Sequence, residues 1–270
     1  MDFLETVARE RLADAAAARE ALAPHVLERA ARSAPPSRPF VGALRARRAE
    51  GRLAVVAEVK RVSPALGELA AIGDPAALAR AYVAAGATAI SVLTEPRHWG
   101  GSLDDLAAVR EAVDVPILCK DVIVDPFQVS QARAHGADAV LLIAEAFDEL
   151  RLALFVAQAR QLGLDVLVEA HEPAAFVRAV GCGAVVVGVN ARDLREPGRI
   201  EPRRVHELAP LARPDQILVA ESGIASAADA ELLPERVDAV LVGTALVRAA
   251  DPAPLLRSLA AVRRRAGVVP

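Results

Sequence analysis

The stretch "AVVAEVKRVSP", residues 54–64, decides the architecture. It opens as a run of small and β-branched apolar residues, the composition of a strand covered on both faces. It then carries Glu58 and Lys60 before reaching Ser63 and Pro64. Period-two alternation puts Val55, Ala57 and Val59 on one face and Val56, Glu58 and Lys60 on the other. The first face is purely apolar and suits a layer of helices. The second brings charge into an interior at the carboxyl end of the strand, where it needs a partner or a purpose.

Further apolar runs of the same kind follow: "TAISVL" from Thr88, "VPILCK" from Val115, "DAVLLIA" from Asp138, "DVLVEA" from Asp165, "AVVVGVN" from Ala184, "QILVAES" from Gln216 and "DAVLVGT" from Asp238. With "LAVVAEV" from Leu53 they make eight strands. Between them lie helix candidates such as "DPAALARAYVAAGA" and "DPFQVSQARAHGA", opening on Asp-Pro and ending at Gly. Eight βα units in 270 residues predict α/β structure in the form of a closed (β/α)8 TIM barrel, one domain over residues 1–270, with no sheet edge left exposed. An open doubly wound sheet would carry a Gly-rich loop after its first strand, and none is present. Residues 1–50 belong to no βα unit. They read as an N-terminal extension of two helices, broken at "ALAPH" and followed by the Pro-rich link "SAPPSRPF". Such an extension serves either as a solubilising arm or as a cap over one barrel mouth.

Composition narrows the partners. Hydrophobic residues make up 54% of the chain but aromatic ones only 3%, so the core must be layered from Ala, Val, Leu and Ile. Net charge is −3 with both signs interspersed, which gives no stripe for nucleic acid and no patch for a membrane surface. A small molecule is the expected partner. Cys119 and Cys182 lie far apart without metal-ligand spacing, and the N-terminus is acidic from Asp2 onward. These features predict a cytoplasmic protein without a disulfide framework, signal peptide or membrane anchor. No metal site is implied; His98 and His171 read as solvated loop or cap residues near the mouth.

The alternation seen in the first strand repeats. Lys120 ends the third strand on the face of Leu118, Glu169 the fifth, Asn190 the sixth and Glu221 the seventh, each at the end where barrel active sites form. A single Lys-Glu pair there is an ordinary structural ion pair. Two lysines, three glutamates and an asparagine at one mouth are not, because each buried charge costs several kcal/mol of desolvation. The last strands run into "ESGIAS" and "VGTAL". Their Ser222, Gly223, Gly243 and Thr244 offer hydroxyls and close backbone approach beside helix N-termini, a phosphate cradle in the usual barrel position.

The blocks "AEVKRVSP", "ISVLTEPRHWGGSLDDL", "KDVIVDPFQ", "GADAVLLIAEAF", "LVEAHE", "GVNARDL", "AESGI" and "DAVLVGTAL" resemble, in order and spacing, the indole-3-glycerol phosphate synthase family of tryptophan biosynthesis. That resemblance implies a carboxy-lyase needing no cofactor. Its substrate is 1-(2-carboxyphenylamino)-1-deoxy-D-ribulose 5-phosphate, whose ring is closed with loss of CO2 and water to indole-3-glycerol phosphate. It implies Lys120 as general acid of closure, Glu169 as acid/base for dehydration, and Lys60 as a binder of a substrate anion and a second proton donor. Glu58 would tune the lysines, and Asn190 would bind the reacting hydroxyl, with Arg192 and Glu221 around it. Trp99 would meet the substrate ring, Ser63 and Pro64 would begin the mobile first loop, and Val122 would line the anthranilate pocket. The family's N-terminal helices cover the mouth, which favours the cap. The chain reads as a monomer or as an associate of other enzymes of the pathway.

Two departures from the family pattern stand out. Val122 replaces the family's usual Phe after Lys-Asp, and "SPALG" replaces "SPSKG". Both bear on substrate fit and leave room for a paralogue that accepts a substituted anthranilate. The nearest rival, phosphoribosylanthranilate isomerase, needs a Cys on its first strand and an Asp on its sixth, where this chain has Glu58, Lys60 and Asn190. A non-catalytic barrel would have lost charges that are all retained here.

Overall fold

A computed structural model describes residues 2–68 and 73–264. Its strands are β1 (Ala54–Val59), β2 (Ala89–Leu93), β3 (Ile117–Lys120), β4 (Ala139–Ile143), β5 (Asp165–Ala170), β6 (Val186–Asn190), β7 (Ile217–Glu221) and β8 (Ala239–Val242). Each pairs in parallel with its neighbours, and Ala54 opposite Ala239 joins β8 to β1, closing the expected barrel. Strand β1 stops at Val59, so Lys60 is the first residue beyond it.

The two faces separate as alternation requires. Val55, Ala57 and Val59 pack outward with the helices, in one core layer with Cys119, Phe155 and Phe176. Ala54, Val56, Leu118, Leu141, Leu167, Val186, Val219 and Leu241 fill the barrel interior. Asp74 and Asp125 cap helix starts with their side chains, as the Asp-Pro openings predict, and Ser102 and Asp148 do the same. None of the described helices is long and apolar enough to cross a membrane.

Three aspartates at the amino ends of strands form the floor. Asp138 accepts from the backbone N–H of Ile117 at 2.8 Å and of Arg38 at 2.6 Å, and pairs with Arg110 at 2.6 Å. Asp165 accepts from Val41 N–H at 2.9 Å. Asp238 accepts from Leu218 N–H at 2.8 Å and pairs with Arg236 and Arg48. Each carboxylate thus replaces water for main-chain donors or cations that the floor removes from solvent.

The extension has three helices, one more than its break and link imply. Helix α1 (Phe3–Ala21) lies at the carboxyl end of the barrel, α2 (Pro24–Ser33) packs on the outer helix Pro126–Ala134, and α3 (Phe40–Ala49) closes the floor. Phe40 and Leu44 of α3 are fully buried against the interior layer, beneath the small residues Ala54, Ala89, Ala139 and Ala239. The signals for α3 are Pro39 before it and Gly51, at φ +66°, after it. Only α1 is placed to cap the mouth. There Arg11 makes a bidentate pair with Asp121, 2.9 Å for each bond, and Phe3 N–H reaches the carbonyl of Arg195 at 3.2 Å.

Removing the floor carboxylate strands two backbone donors and an arginine. Asp138→Ala is expected to lower unfolding free energy by about 3–5 kcal/mol in urea titration, the range for breaking a buried pair. Turnover per folded molecule should stay at the wild-type level.

Candidate active site

The carboxyl ends of the strands open into a cavity of about 460 Å³, inside the roughly 300–1,000 Å³ range of small-ligand sites. It is lined by Glu58, Lys60, Trp99, Lys120, Val122, Glu169, Asn190, Arg192, Glu221, Ser222, Gly223, Gly243 and Thr244. The ionisable residues singled out in the sequence are therefore brought together. Ser63 and Pro64 are not among the lining residues. Ser63 is buried in a small hairpin, Val62–Ser63 against Gly67–Glu68, and Leu66 from its turn faces the cavity instead.

Two charge clusters divide the floor of this cavity. In the first, Lys60 Nζ lies 2.6 Å from Glu58 and donates to Thr244 Oγ1 at 3.2 Å. Burial pushes the Glu58 carboxyl up, but Lys60, Lys120 and Arg192 outweigh it and hold it below the ordinary carboxylate value. In the second, Lys120 Nζ sits 3.2 Å from Glu169 and 3.1 Å from Glu221. Burial opposes the charge on Lys120, yet Glu169, Glu221 and Glu58 together hold its pKa well above the usual lysine value. Glu221 moves the other way. Its burial and the neighbouring charge of Glu169 raise it well above a normal carboxyl, and Lys120 offsets this only in part.

Asn190 links the second cluster to the β7 turn. Its Nδ2 donates to Glu169 at 3.4 Å, and its Oδ1 accepts from Ser222 Oγ at 2.8 Å and from Arg192 N–H at 3.0 Å. Burial lowers the Arg192 pKa, with Glu58 opposing. Ser222 and Gly223 take the left-handed φ values of +65° and +76°, turning the chain over the mouth. The helix after β7 begins only at Ala227, so Ser222 lies short of its N-terminus. Gly243 directly caps the helix Thr244–Arg248, as expected.

Glycine at 243 has a second cause that the sequence does not reveal. A Cβ there would overlap the Glu58 carboxylate, and a Cβ at Gly188 would overlap that of Glu221. The interior has room for these acids because two neighbouring positions lack side chains. Sequence reasoning also missed Glu95 and Arg248, which line the cavity. Extending the alternation of Ser91 and Leu93 past the end of β2 points Glu95 inward, and Arg248 lies one helical turn beyond Thr244.

The solvated reading is corrected for His171, whereas His98 meets the cap helix α1. His171 is buried, with its ring nitrogens 2.9 Å from the Asn190 carbonyl and 2.9 Å from Glu201. His98 is half-buried, 2.6 Å from Glu10 of α1. His171, Glu172 and Asp193 gather within 4.8 Å of one another, and the cation among them is the Arg195 guanidinium, 2.6 Å from Glu172 and 3.1 Å from Asp193.

A closed parallel barrel with an ionisable cavity at the carboxyl ends of its strands and small turns after β7 and β8 places the chain in the TIM-barrel class. Sequence comparison then narrows the class: the family model "Indole-3-glycerol phosphate synthase" matches residues 4–259, and the chain belongs to that family. Relatives bearing that name include one from a Nocardioides species, 54% identical over 79% of this chain and 80% of its own length. Another, from Mycolicibacterium smegmatis, is 45% identical over 92% of this chain and 90% of its own length. Among solved structures, a tryptophan synthase chain from M. tuberculosis superposes with a TM-score of 0.61 at 17% identity, over 85% of this chain and 98% of that one. At that identity the likeness speaks to fold alone.

The raised carboxyl of Glu221 predicts a pH effect on stability. A folded-state value above the unfolded one means that the folded protein binds the proton more tightly. This contribution is complete below the unfolded value and is lost as pH rises toward the folded one, by about 1.4 kcal/mol per unit crossed. Urea titrations across this range should show a shallower alkaline decline in Glu221→Gln than in the wild type.

Proposed function

We propose that Lys120 and Glu169 perform the proton transfers of the family reaction, with Glu58, Lys60 and Asn190 in support. The chain's activity is that of its family, a carboxy-lyase step of tryptophan biosynthesis that yields indole-3-glycerol phosphate, CO2 and water. The observation that carries the assignment is the position of the Lys120 ammonium between Glu169 and Glu221 at the cavity floor. The substrate is the phosphosugar-anthranilate conjugate.

In ring closure an aromatic carbon attacks the sugar ketone, and the ketone oxygen must gain a proton as the C–C bond forms. Lys120 is a charged donor held in place by two carboxylates. Loss of the carboxyl group as CO2 leaves its bonding electrons in the ring system. Dehydration then requires a base to take a ring proton while the hydroxyl departs as water. Glu169 is within 3.2 Å of Lys120, so a proton passed to the substrate by one can be replaced through the other. Lys60, pinned by Glu58 and bonded to Thr244, stands where it can bind a substrate anion and donate a second proton. Asn190 reaches both Glu169 and Ser222, a position suited to orienting the reacting hydroxyl. Ser222, Gly223, Gly243 and Thr244 form the phosphate cradle, with Arg192 and Glu221 shaping the space beside it.

In this reading residues 1–270 act as one barrel domain and residues 1–50 as its extension. The reaction is assigned to the cytoplasm on the reduced state of the chain, both cysteines being free and buried.

Lys120→Met is expected to lower turnover by at least about 10²–10⁴-fold, the usual value of a positioned acid. The measurement is indole absorbance during incubation with the carboxyphenylamino sugar phosphate. Binding of inorganic phosphate should survive, and wild-type turnover in this variant would refute the assignment.

A second reading, a preference for substituted anthranilates, rests on Val122. It lines the cavity with a small side chain next to Lys120 and Asp121. Val122→Phe should shift the ratio of kcat/KM values toward unsubstituted anthranilate by about 10-fold or more, as a pocket differing by a few carbons does. Equal ratios in the two proteins would remove this reading.

A further inference from the structure

Trp99, the only tryptophan of the chain, lies half-buried on the cavity wall, yet no strand holds it. It stands in the connection between β2 and the helix Leu103–Ala112, a segment that must be fixed by other means. The fixing group is Glu95. This carboxylate is fully buried. Its Oε1 accepts from Arg97 N–H at 3.0 Å, and its Oε2 accepts from His98 N–H at 2.6 Å and Trp99 N–H at 3.0 Å. The Glu95 carbonyl accepts from Gly101 N–H at 2.8 Å, and Gly101 passes so near the Leu93 carbonyl that a Cβ would overlap it.

A buried carboxylate is expensive unless its lone pairs are satisfied. Here three consecutive amides satisfy it, and the carboxylate in turn gives those amides acceptors that an apolar residue could not. The arrangement therefore bends residues 95–99 around one side chain and leaves the indole directed along the wall. On the other side Phe3 of α1 meets the Trp99 ring edge-on at 5.8 Å and the His98 ring at 5.1 Å, while Glu10 holds His98.

We propose that Glu95 is a positioning residue for the aromatic ring of the substrate: by collecting the amides of Arg97, His98 and Trp99 on one buried carboxylate, it sets the indole of Trp99 as a wall of the ring slot. Glu95 acts through Trp99 and moves no proton. The inference rests on the reading of Trp99 as a substrate contact.

A glutamine at this position keeps one acceptor oxygen and turns an NH2 group toward amides that are themselves donors, so part of the clamp is lost without a change in size. The lone tryptophan makes the consequence visible. In the full-length protein Glu95→Gln should shift Trp99 emission to the red and lower its anisotropy, with the far-ultraviolet circular dichroism unchanged. KM should rise about tenfold, equivalent to ~1.4 kcal/mol of lost contact, while kcat moves far less. Wild-type emission together with wild-type KM in folded Glu95→Gln would overturn the inference. If that variant does not fold, Glu95→Asp, which keeps the charge on a shorter arm, is read by the same two signals. Trp99→Leu separates the two assumptions. If it raises KM while Glu95→Gln moves neither signal, Glu95 is not the clamp; if it leaves KM unmoved, Trp99 is not the wall and the inference falls with it.

Discussion

The ammonium of Lys120, shared between Glu169 and Glu221, is the interaction on which the mouth of this barrel depends. It joins the ends of β3, β5 and β7 across the barrel axis, and among the described residues neither acid has another ion pair. Two carboxylates beside one lysine leave an excess of negative charge in a buried place, and Glu221 answers by holding its proton more tightly. The other cluster, Glu58 with Lys60, is electrically closer to neutral and contributes its field to Lys120. One cluster thus keeps a lysine charged, and the other ties a lysine to Thr244 just after β8. The division matches a reaction that needs both a proton donor and a grip on a dianion.

Much of this was legible in the sequence because barrel geometry is periodic. Once β1 is read with Glu58 facing inward, the same alternation places Lys120, Glu169, Asn190 and Glu221 at one rim without further assumption. What alternation does not govern was harder to read. Ser63 and Pro64 belong to a hairpin whose direction follows from tertiary packing, and its inward residue is Leu66. Glu95 continues the β2 pattern beyond the strand, where a turn ordinarily ends the rule. Gly243 was legible as a special position, but its close neighbour is an acid from another strand, a contact 185 residues apart in the chain that no local signal encodes. Helix α3 was hidden by a composition rich in arginine, although Pro39 and Gly51 mark its ends.

The floor and the mouth divide the work. Asp138, Asp165 and Asp238 spend their charge on amides and arginines at the amino ends of the strands, away from the cavity. Of the acids at the carboxyl ends, Glu221 is left partly unsatisfied: its Oε1 is buried without a hydrogen-bond partner among the described residues. Such an atom is a cost to stability and an asset to chemistry, since a bound substrate can supply what it lacks.

The extension has its own consequence for how the chain matures. Helix α3 seats Phe40 and Leu44 in the interior layer, and Arg48 reaches Asp238 just ahead of β8. The seat is therefore complete only when the last strand has arrived, although its occupant leaves the ribosome first. Phe40 and Leu44 are synthesised well before β8, so their burial depends on contacts of high sequence separation, which form slowly.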